Sequence, residues 1–210
     1  MTSRPPMPTT TGESRVFVRE FVRAPLRTAS VVPSSPALAR RMIAPLLGPS
    51  RTSGPPVVVE LGPGTGSFTA ALRAAVPEMR YLGLELNGVM ADHLSGRFPG
   101  IDLLRGPASS LARALAQRGL PAVDLVVSGL PWQAFAGEAG TELISSIAGH
   151  LAPSGAYTQF TYSWSRWAPP GRRQHREMQR FFGRVDVSPT VWRNVPPAVV
   201  YTATLPRPAG

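Results

Sequence analysis

The chain has 210 residues and contains no cysteine, which excludes disulfides, thiolate metal ligands and cysteine nucleophiles. Its three histidines, His93, His150 and His175, have no metal-ligand spacing, so we expect no metal site. No apolar run approaches the ~20 residues that a membrane-spanning helix needs. The first eleven residues also lack the apolar core of a signal peptide. These absences predict a cytoplasmic protein.

Lysine is absent too, so all 22 basic residues are arginine, and with 12 acidic residues the net charge is +10. This charge is unevenly distributed. Residues 1–55 carry 8 Arg and 2 Glu, residues 56–155 carry 6 Arg and 8 acids, and residues 156–210 carry 8 Arg and 2 acids. Two basic ends around a mildly acidic middle favour an anionic partner, either a lipid surface or a nucleic acid. A solubilising surface charge is the alternative.

The N-terminal part divides into a tail and a helical lead-in. Residues 1–11 are rich in Pro and Thr and are predicted to be disordered. Within the lead-in, residues 12–55, the run 13–24 is predicted to be an amphipathic helix, with arginines four residues apart on one face and Phe and Val on another. Such a helix fits an anionic membrane surface, or it packs on the domain as a lid. A second helix is predicted from Ser34 or Ser35 to about Leu47.

Residues 56–210 alternate between strand and helix patterns, which predicts one α/β domain with a doubly wound, mostly parallel sheet. The last two strands are joined by a short loop and should form an antiparallel hairpin at the end of this sheet. The seven predicted strands are Val57–Leu61, Tyr81–Glu85, Ile101–Leu104, Val123–Ser128, Ala156–Tyr162, Arg184–Arg193 and Ala198–Leu205.

The strongest motif is the run VVVELGPGTG, from Val57 to Gly66, in which an apolar strand ends in a turn with glycine at alternate positions. Glycines let the backbone pass close to a ligand. The dinucleotide fingerprint needs glycine at its sixth position, where this chain has Ser67. Glu60, just before the first glycine, suits a cationic ligand better than a pyrophosphate.

Two further signals follow the second and fourth predicted strands. Glu85 ends the second strand, where a carboxylate can accept hydrogen bonds from both hydroxyls of a ribose. The run Ser128–Pro131 follows the fourth strand. In a doubly wound sheet these turns open at the same carboxyl edge, where ligands bind.

These motifs resemble those of the class I S-adenosylmethionine-dependent methyltransferases, over about residues 34–205. The resemblance implies a Rossmann-like methyltransferase sheet and S-adenosyl-L-methionine as the cofactor. One departure lies after the third strand, where Pro107 stands in place of the Asp that many members hold near the adenine. The implied cofactor-binding residues are Glu60, Gly62, Gly64, Gly66, Glu85, Leu86, Ser109 and Ser128.

Within this class, the chain most resembles the soluble bacterial phosphatidylethanolamine N-methyltransferases. The resemblance lies in the lead-in 28–39, the fourth-strand motif 128–131 and the closing segment 191–198. The related ribosomal RNA adenine dimethyltransferases place an Asn where this chain has Gly129, and they carry a C-terminal helical domain that we do not expect here. Nucleic acid is therefore the less favoured partner.

The resemblance implies an enzyme that methylates the amine of phosphatidylethanolamine, and of its mono- and dimethyl forms, towards phosphatidylcholine. It also implies peripheral association with the inner face of the membrane through residues 13–24. The candidate substrate-positioning residues are Ser128, Leu130, Pro131, Trp132 and Tyr162. Aromatic side chains suit a cationic headgroup, and the further candidates for this contact are Tyr157, Trp164 and Trp167. Arginines suit a lipid phosphate, and the candidates are Arg166, Arg172, Arg173 and Arg176.

No acid–base pair is evident in the sequence, so water, a backbone carbonyl or the lipid phosphate could accept the amine proton. Three other functions stay open. The chain could methylate adenine in ribosomal RNA, which would explain the basic ends. It could methylate a small molecule of specialised metabolism. It could also be a cofactor-binding or membrane-binding module without catalytic activity.

Overall fold

A computed structural model describes residues 34–48, 54–120, 122–131 and 137–207. The predicted tail and the predicted amphipathic helix 13–24 lie outside these residues. The helices are α1 (Pro36–Met42), α2 (Ser67–Ala75), α3 (Gly88–Arg97), α4 (Leu111–Gln117), α5 (Glu138–His150) and α6 (Pro169–Phe181). The strands are β1 (Val57–Leu61), β2 (Arg80–Glu85), β3 (Leu103–Arg105), β4 (Val123–Ser128), β5 (Leu151–Tyr162), β6 (Phe182–Val187) and β7 (Ala198–Pro206).

The seven strands form one sheet in the order β3-β2-β1-β4-β5-β7-β6. Strands β1 to β5 pair in parallel, whereas β7 is antiparallel to both β5 and β6. The predicted doubly wound sheet with an antiparallel C-terminal hairpin is thus confirmed. The strand order reverses between β1 and β4, and ligands of such sheets bind at the carboxyl edge beside that point.

Helices cover both faces of the sheet, and this explains why the central strands are apolar on both sides. Val59 of β1 points to the face packed by α4, α5 and α6, whereas Val58 points to the face packed by α1 and α2. All five residues of β1 are buried. Because β1 is held from both faces, the turn that follows it starts from a rigid base.

Two boundaries differ from the sequence prediction for reasons connected with proline. The predicted helix from Ser34 or Ser35 to Leu47 ends at Met42 and continues as a short 3-10 turn, Ala44–Leu46. Pro45 lacks the N–H group that an α-helix would need there. The predicted strand Arg184–Arg193 is also displaced, because β6 ends at Val187 and Pro189 interrupts the ladder soon after.

Among the helices of the described residues, none combines the length and apolar character required to span a bilayer.

Candidate active site

The glycine turn after β1 is bonded to the neighbouring strand β2. The N–H of Gly62 donates to the carbonyl oxygen of Leu84 over 2.9 Å. The N–H of Gly64 donates to Oε2 of Glu85 over 3.0 Å. Gly64 has a φ of +55°, a conformation that other residues rarely adopt. A Cβ there would meet no neighbour closer than 3.9 Å, so this side of the turn is open to a ligand.

Glu85 is held in place by backbone donors. Glu85 is only 8% exposed. Besides the bond from Gly64, its Oε1 accepts a hydrogen bond from the N–H of Asn87 at 2.8 Å. Burial raises the pKa of Glu85, and the bonds from Asn87 and Gly64 oppose that rise. Each carboxylate oxygen retains acceptor capacity, so the group can still receive ligand hydroxyls.

Glu60 is fully buried beneath the same turn. Its Oε2 accepts hydrogen bonds from Oγ1 of Thr69 at 2.7 Å and from the hydroxyl of Tyr81 at 2.8 Å. Its Oε1 has no hydrogen-bond partner among the described residues. Burial raises the pKa of Glu60 to about 7. Glu60 therefore links β1, β2 and α2, while its predicted contact with the cofactor stays a prediction.

The turn after β4 lies directly against the glycine turn. The N–H of Gly129 donates to the carbonyl oxygen of Leu61 at 2.9 Å. A Cβ on Gly129 would lie 2.6 Å from the carbonyl oxygen of Gly62. From the same turn, Cδ2 of Leu130 lies 2.6 Å from the position that a Cβ on Gly62 would take. The structure thus brings together the two motifs that the sequence placed after β1 and β4.

A buried polar network lies behind this turn, and of its members only Gln159 was missed in the sequence. Tyr157 was predicted to face a cationic headgroup, but its side chain is buried in this network instead. Nε2 of Gln159 donates to the carbonyl oxygen of Leu130 at 2.9 Å, and the hydroxyl of Tyr157 donates to Oε1 of Gln159. Both side chains are almost completely buried, and Ser128 is only 1% exposed. Burial raises the pKa of Tyr157, while its hydrogen bond with Ser128 opposes the rise. The one sign of this network in the sequence is a glutamine, Gln159, within a predicted strand that is mostly apolar.

The other candidates occupy the same edge at different depths. Ser109 is exposed in the 3-10 turn after β3, which is tied to β2 by a 3.0 Å bond from the N–H of Gly106 to the carbonyl oxygen of Glu85. Leu86 is 44% exposed beside Glu85. Tyr162 ends β5, and its ring stacks on Trp164 with centroids 6.1 Å apart. Pro131 is half-buried, and Trp132 lies outside the described residues.

These residues are compatible with an adenosyl cofactor. A buried carboxylate offers acceptors for ribose hydroxyls, an exposed leucine lies beside it for an apolar ring, and an open glycine turn allows close approach of the ligand. Among the described residues, no group of three acidic or histidine side chains is placed to hold a metal ion. The carboxylate, the leucine and the glycine turn are the groups that could bind and orient a nucleoside derivative.

Solved structures with the same fold include methyltransferases and also spermidine synthases, such as that of Thermotoga maritima, which aligns with a TM-score of 0.61 at 11% identity, covering 80% of this chain and 59% of that chain. Precorrin-6y C5,15-methyltransferase from Geobacter metallireducens aligns with a TM-score of 0.62 at 16% identity, covering 84% of this chain and 92% of that chain. Human methyltransferase-like protein 13, solved in complex with SAH, also aligns with a TM-score of 0.62 at 16% identity, covering 81% and 83%. At these identities the likeness concerns the fold.

A curated relative provides the closer comparison. The chain is 34% identical over 192 residues to the ornithine lipid N-methyltransferase of Singulisphaera acidiphila, covering 89% of this chain and 93% of that protein. No protein-family model matches the chain. This identity and coverage show that the chain belongs to the family of this N-methyltransferase, and its fold is that of the class I S-adenosylmethionine-dependent methyltransferases.

Proposed function

We propose that this enzyme transfers a methyl group from S-adenosylmethionine to the amine of a membrane-lipid headgroup. The observation that carries the proposal is the 34% identity to a lipid N-methyltransferase over nearly the whole of both chains. The juxtaposed turns around Gly62 and Gly129 support it, because they place the candidate cofactor-binding and substrate-positioning residues at one edge of the sheet.

The bound cofactor supplies an electrophilic methyl group on a sulfonium centre. The chain itself contributes binding and orientation. Glu85 is fixed by the N–H groups of Gly64 and Asn87, so its carboxylate is aligned before the ligand arrives. The Gln159 bond to the carbonyl of Leu130 fixes the turn on which the amine is to be positioned. Such positioning supplies much of the acceleration of a displacement between two bound groups.

The neutral amine is the nucleophile, so the ammonium form must first lose a proton. In the β4 turn, the hydroxyl of Ser128 and the carbonyl oxygen of Leu130 are the candidate proton acceptors. Ser128 is nearly inaccessible, and the carbonyl of Leu130 already accepts from Gln159. We therefore assign proton removal to water or to an acidic group on the lipid, and assign no general base to the described residues.

Two lipid amines are candidate acceptors. The sequence resemblance implies phosphatidylethanolamine, whereas the name of the curated relative favours ornithine lipid. Both present a primary amine beside an acidic group, and the protein would meet either one at the membrane surface. We infer peripheral binding at the inner face of the membrane, with the predicted helix 13–24 as one contact.

The proposal is tested by incubating the full chain and labelled S-adenosylmethionine with vesicles of either lipid. Label in mono-, di- or trimethylated lipid supports the function, and the preferred vesicle identifies the headgroup. A parallel reaction with total RNA tests the ribosomal RNA alternative. Label only in RNA, or in neither acceptor by a chain that binds the cofactor, would overturn the assignment to lipid.

A further inference from the structure

Four large apolar side chains are exposed in the segments that follow β5 and precede β7, at the carboxyl edge of the sheet. Trp164 is 66% exposed, Trp167 is 67%, Trp192 is 76% and Val195 is 69%. We refer to these four residues as the rim. Indole side chains are usually at least partly buried, so three exposed ones in two short segments mark an interaction surface.

The backbone brings the two segments of the rim together. Ala198, the first residue of β7, pairs with Tyr162 on one side and with Val191 on the other. The N–H of Ser163 donates to the carbonyl oxygen of Pro197 at 2.9 Å. The segments 163–167 and 191–197 therefore flank the start of β7, about two strand spacings apart.

The two stretches of chain that carry the rim contain charged side chains of one sign only. Residues 163–176 and 188–197 contain no Asp or Glu. The guanidinium of Arg166 lies 4.4 Å from the ring centroid of Trp167. Four other arginines lie within residues 163–176 and 188–197, and all have exposed side chains: Arg172, Arg173, Arg176 and Arg193.

Tryptophan beside arginine suits the interface of a bilayer. The indole ring is apolar with one polar N–H, and it partitions to the level of the headgroups. Each basic residue near an anionic leaflet contributes about 1 kcal/mol of attraction. A protein partner would require a complementary acidic surface with pockets for the indoles, whereas a bilayer accommodates them without a specific shape.

We propose that the rim inserts into the headgroup region of an anionic membrane and that the surrounding arginines hold it there. This surface is distinct from the predicted helix 13–24, and it deepens the proposed function, on which its biological purpose rests. The rim follows β5 and precedes β7, at the same edge at which the turns after β1, β2 and β4 open. Docking here would present the site to lipid amines that remain in the bilayer.

Tryptophan fluorescence gives a direct test, because the chain has only four tryptophans. The first reporter replaces Trp132, Trp164 and Trp167 with Phe and keeps Trp192. The matched control replaces all four with Phe and adds Leu205→Trp. Leu205 is 59% exposed near the end of β7, at the opposite edge of the sheet. Both proteins are mixed with vesicles of phosphatidylcholine and phosphatidylglycerol that carry brominated acyl chains.

We expect strong quenching and a shift to shorter wavelength for the Trp192 reporter, and neither change for the Leu205→Trp control. Equal quenching of the two, or no quenching of Trp192 while the protein floats with the vesicles, would overturn the proposal. Affinity for RNA that exceeds affinity for these vesicles, with no quenching, would also overturn it.

Charge reversal provides a second arm. Arg193→Glu should weaken binding to the anionic vesicles about thirtyfold, since it removes one attraction and adds one repulsion of about 1 kcal/mol each. Arg113→Glu is the matched control, because Arg113 is exposed on α4, away from the rim. Equal losses in the two variants would contradict a localised surface.

These readouts separate the rim from the enzymatic proposal. Quenching of Trp192 without methylation of any lipid would leave the rim in place and reject the proposed function. Methylation of lipid without quenching of Trp192 would support the proposed function and reject the rim as the membrane contact. Calorimetric titration with S-adenosylhomocysteine reports whether each variant still folds and binds the cofactor product.

Discussion

The backbone of Gly129 lies against the carbonyl oxygen of Gly62, so closely that a Cβ on Gly129 would lie 2.6 Å from that oxygen. The contact joins the turn expected to hold the cofactor to the turn expected to position the acceptor. Because the obstructing atom belongs to the backbone of a rigid turn, it cannot move aside as a flexible side chain would. Any residue with a Cβ at this position would therefore require a different arrangement of the two turns in this chain.

Gly129→Ala should therefore weaken both the fold and cofactor binding. Overpacking of this kind typically costs about 1–3 kcal/mol. The control is Gly149→Ala, since Gly149 lies in α5 with no atom within 4 Å of the added Cβ. The control should be neutral, or more stable by ~0.5–1 kcal/mol. Urea unfolding and calorimetry would measure both effects, and an unaffected Gly129→Ala protein would contradict the observed contact.

Glu85→Gln should weaken cofactor binding roughly ten- to hundredfold. The amide loses the charge and turns an NH2 group towards one of the N–H donors of Gly64 and Asn87. A hydrogen bond to a charged group is worth about 1.5–3 kcal/mol, which gives this range. Exposed Glu142 provides the control as Glu142→Gln. Calorimetric titration with S-adenosylhomocysteine is the measurement, and unchanged affinity would remove Glu85 from the site.

The raised pKa of the Glu85 carboxyl group leads us to expect that cofactor affinity depends on pH. The ionised form is the better acceptor for ribose hydroxyls, and burial raises the pKa of Glu85. Affinity should accordingly fall on acidification, beginning at a higher pH than an exposed glutamate would give. Glu85→Gln should lack this component. An identical pH dependence in wild type and variant would show that another group is responsible.

We expect the difference in stability between Glu60→Gln and the wild type to depend on pH. The pKa of Glu60 is raised from 4.5 to about 7 in the folded chain, so the folded state retains a proton that the unfolded state loses. The contribution of Glu60 to the stability of the wild type should therefore decrease by roughly 3 kcal/mol as pH rises from about 4.5 to about 7, and then level off. Glu60→Gln lacks this loss, so its stability relative to wild type should increase over that range.

Urea unfolding at pH 5 and pH 8 measures this difference. Exposed Glu78→Gln serves as the control and should show no comparable change between the two pH values. A constant difference between Glu60→Gln and wild type across this range would mean that Glu60 is already ionised at pH 5.

Gln159→Leu should destabilise the chain and lower kcat more than it raises the KM for S-adenosylmethionine. The change leaves the buried carbonyl of Leu130 without this partner, which costs about 1–3 kcal/mol, and it removes one of the two hydrogen bonds of the Tyr157 hydroxyl. Gln179→Leu, at an exposed position of α6, is the control. Loss of stability with unaltered kcat would reduce Gln159 to a structural role.

The parts of the site that could be predicted from sequence are encoded locally. The glycine turn follows an apolar strand within ten residues, and Glu85 ends the next strand, so periodicity and spacing placed both at one edge. Gln159 could not be found this way, because its partner Leu130 lies 29 residues earlier and meets it through the pairing of β4 with β5. The burial of Glu60 between Thr69 and Tyr81 likewise depends on tertiary packing.

In the fold, too, local features could be predicted from the sequence, whereas features that depend on long-range contacts could not. Alternation of apolar and polar segments predicted the order of the elements, since each helix and strand carries its own period. The predicted strand Arg184–Arg193 runs past the observed end of β6, because Pro189 interrupts the ladder and the hydroxyl of Ser188 accepts a hydrogen bond from the N–H of Val200 at 3.0 Å. The proline is a local signal, whereas the Ser188 bond joins distant parts of the chain and cannot be predicted from the local pattern.

Methyl transfer to lipid tests the central claim most directly. Labelled S-adenosylmethionine is incubated with the full chain and with vesicles containing phosphatidylethanolamine or ornithine lipid in an anionic background, beside a total-RNA reaction. Glu85→Gln serves as the variant expected to lose activity. The account predicts label in the methylated amine of one of these lipids, strongly reduced in the variant. Absence of label from both lipids, by a chain that binds S-adenosylhomocysteine, would contradict it.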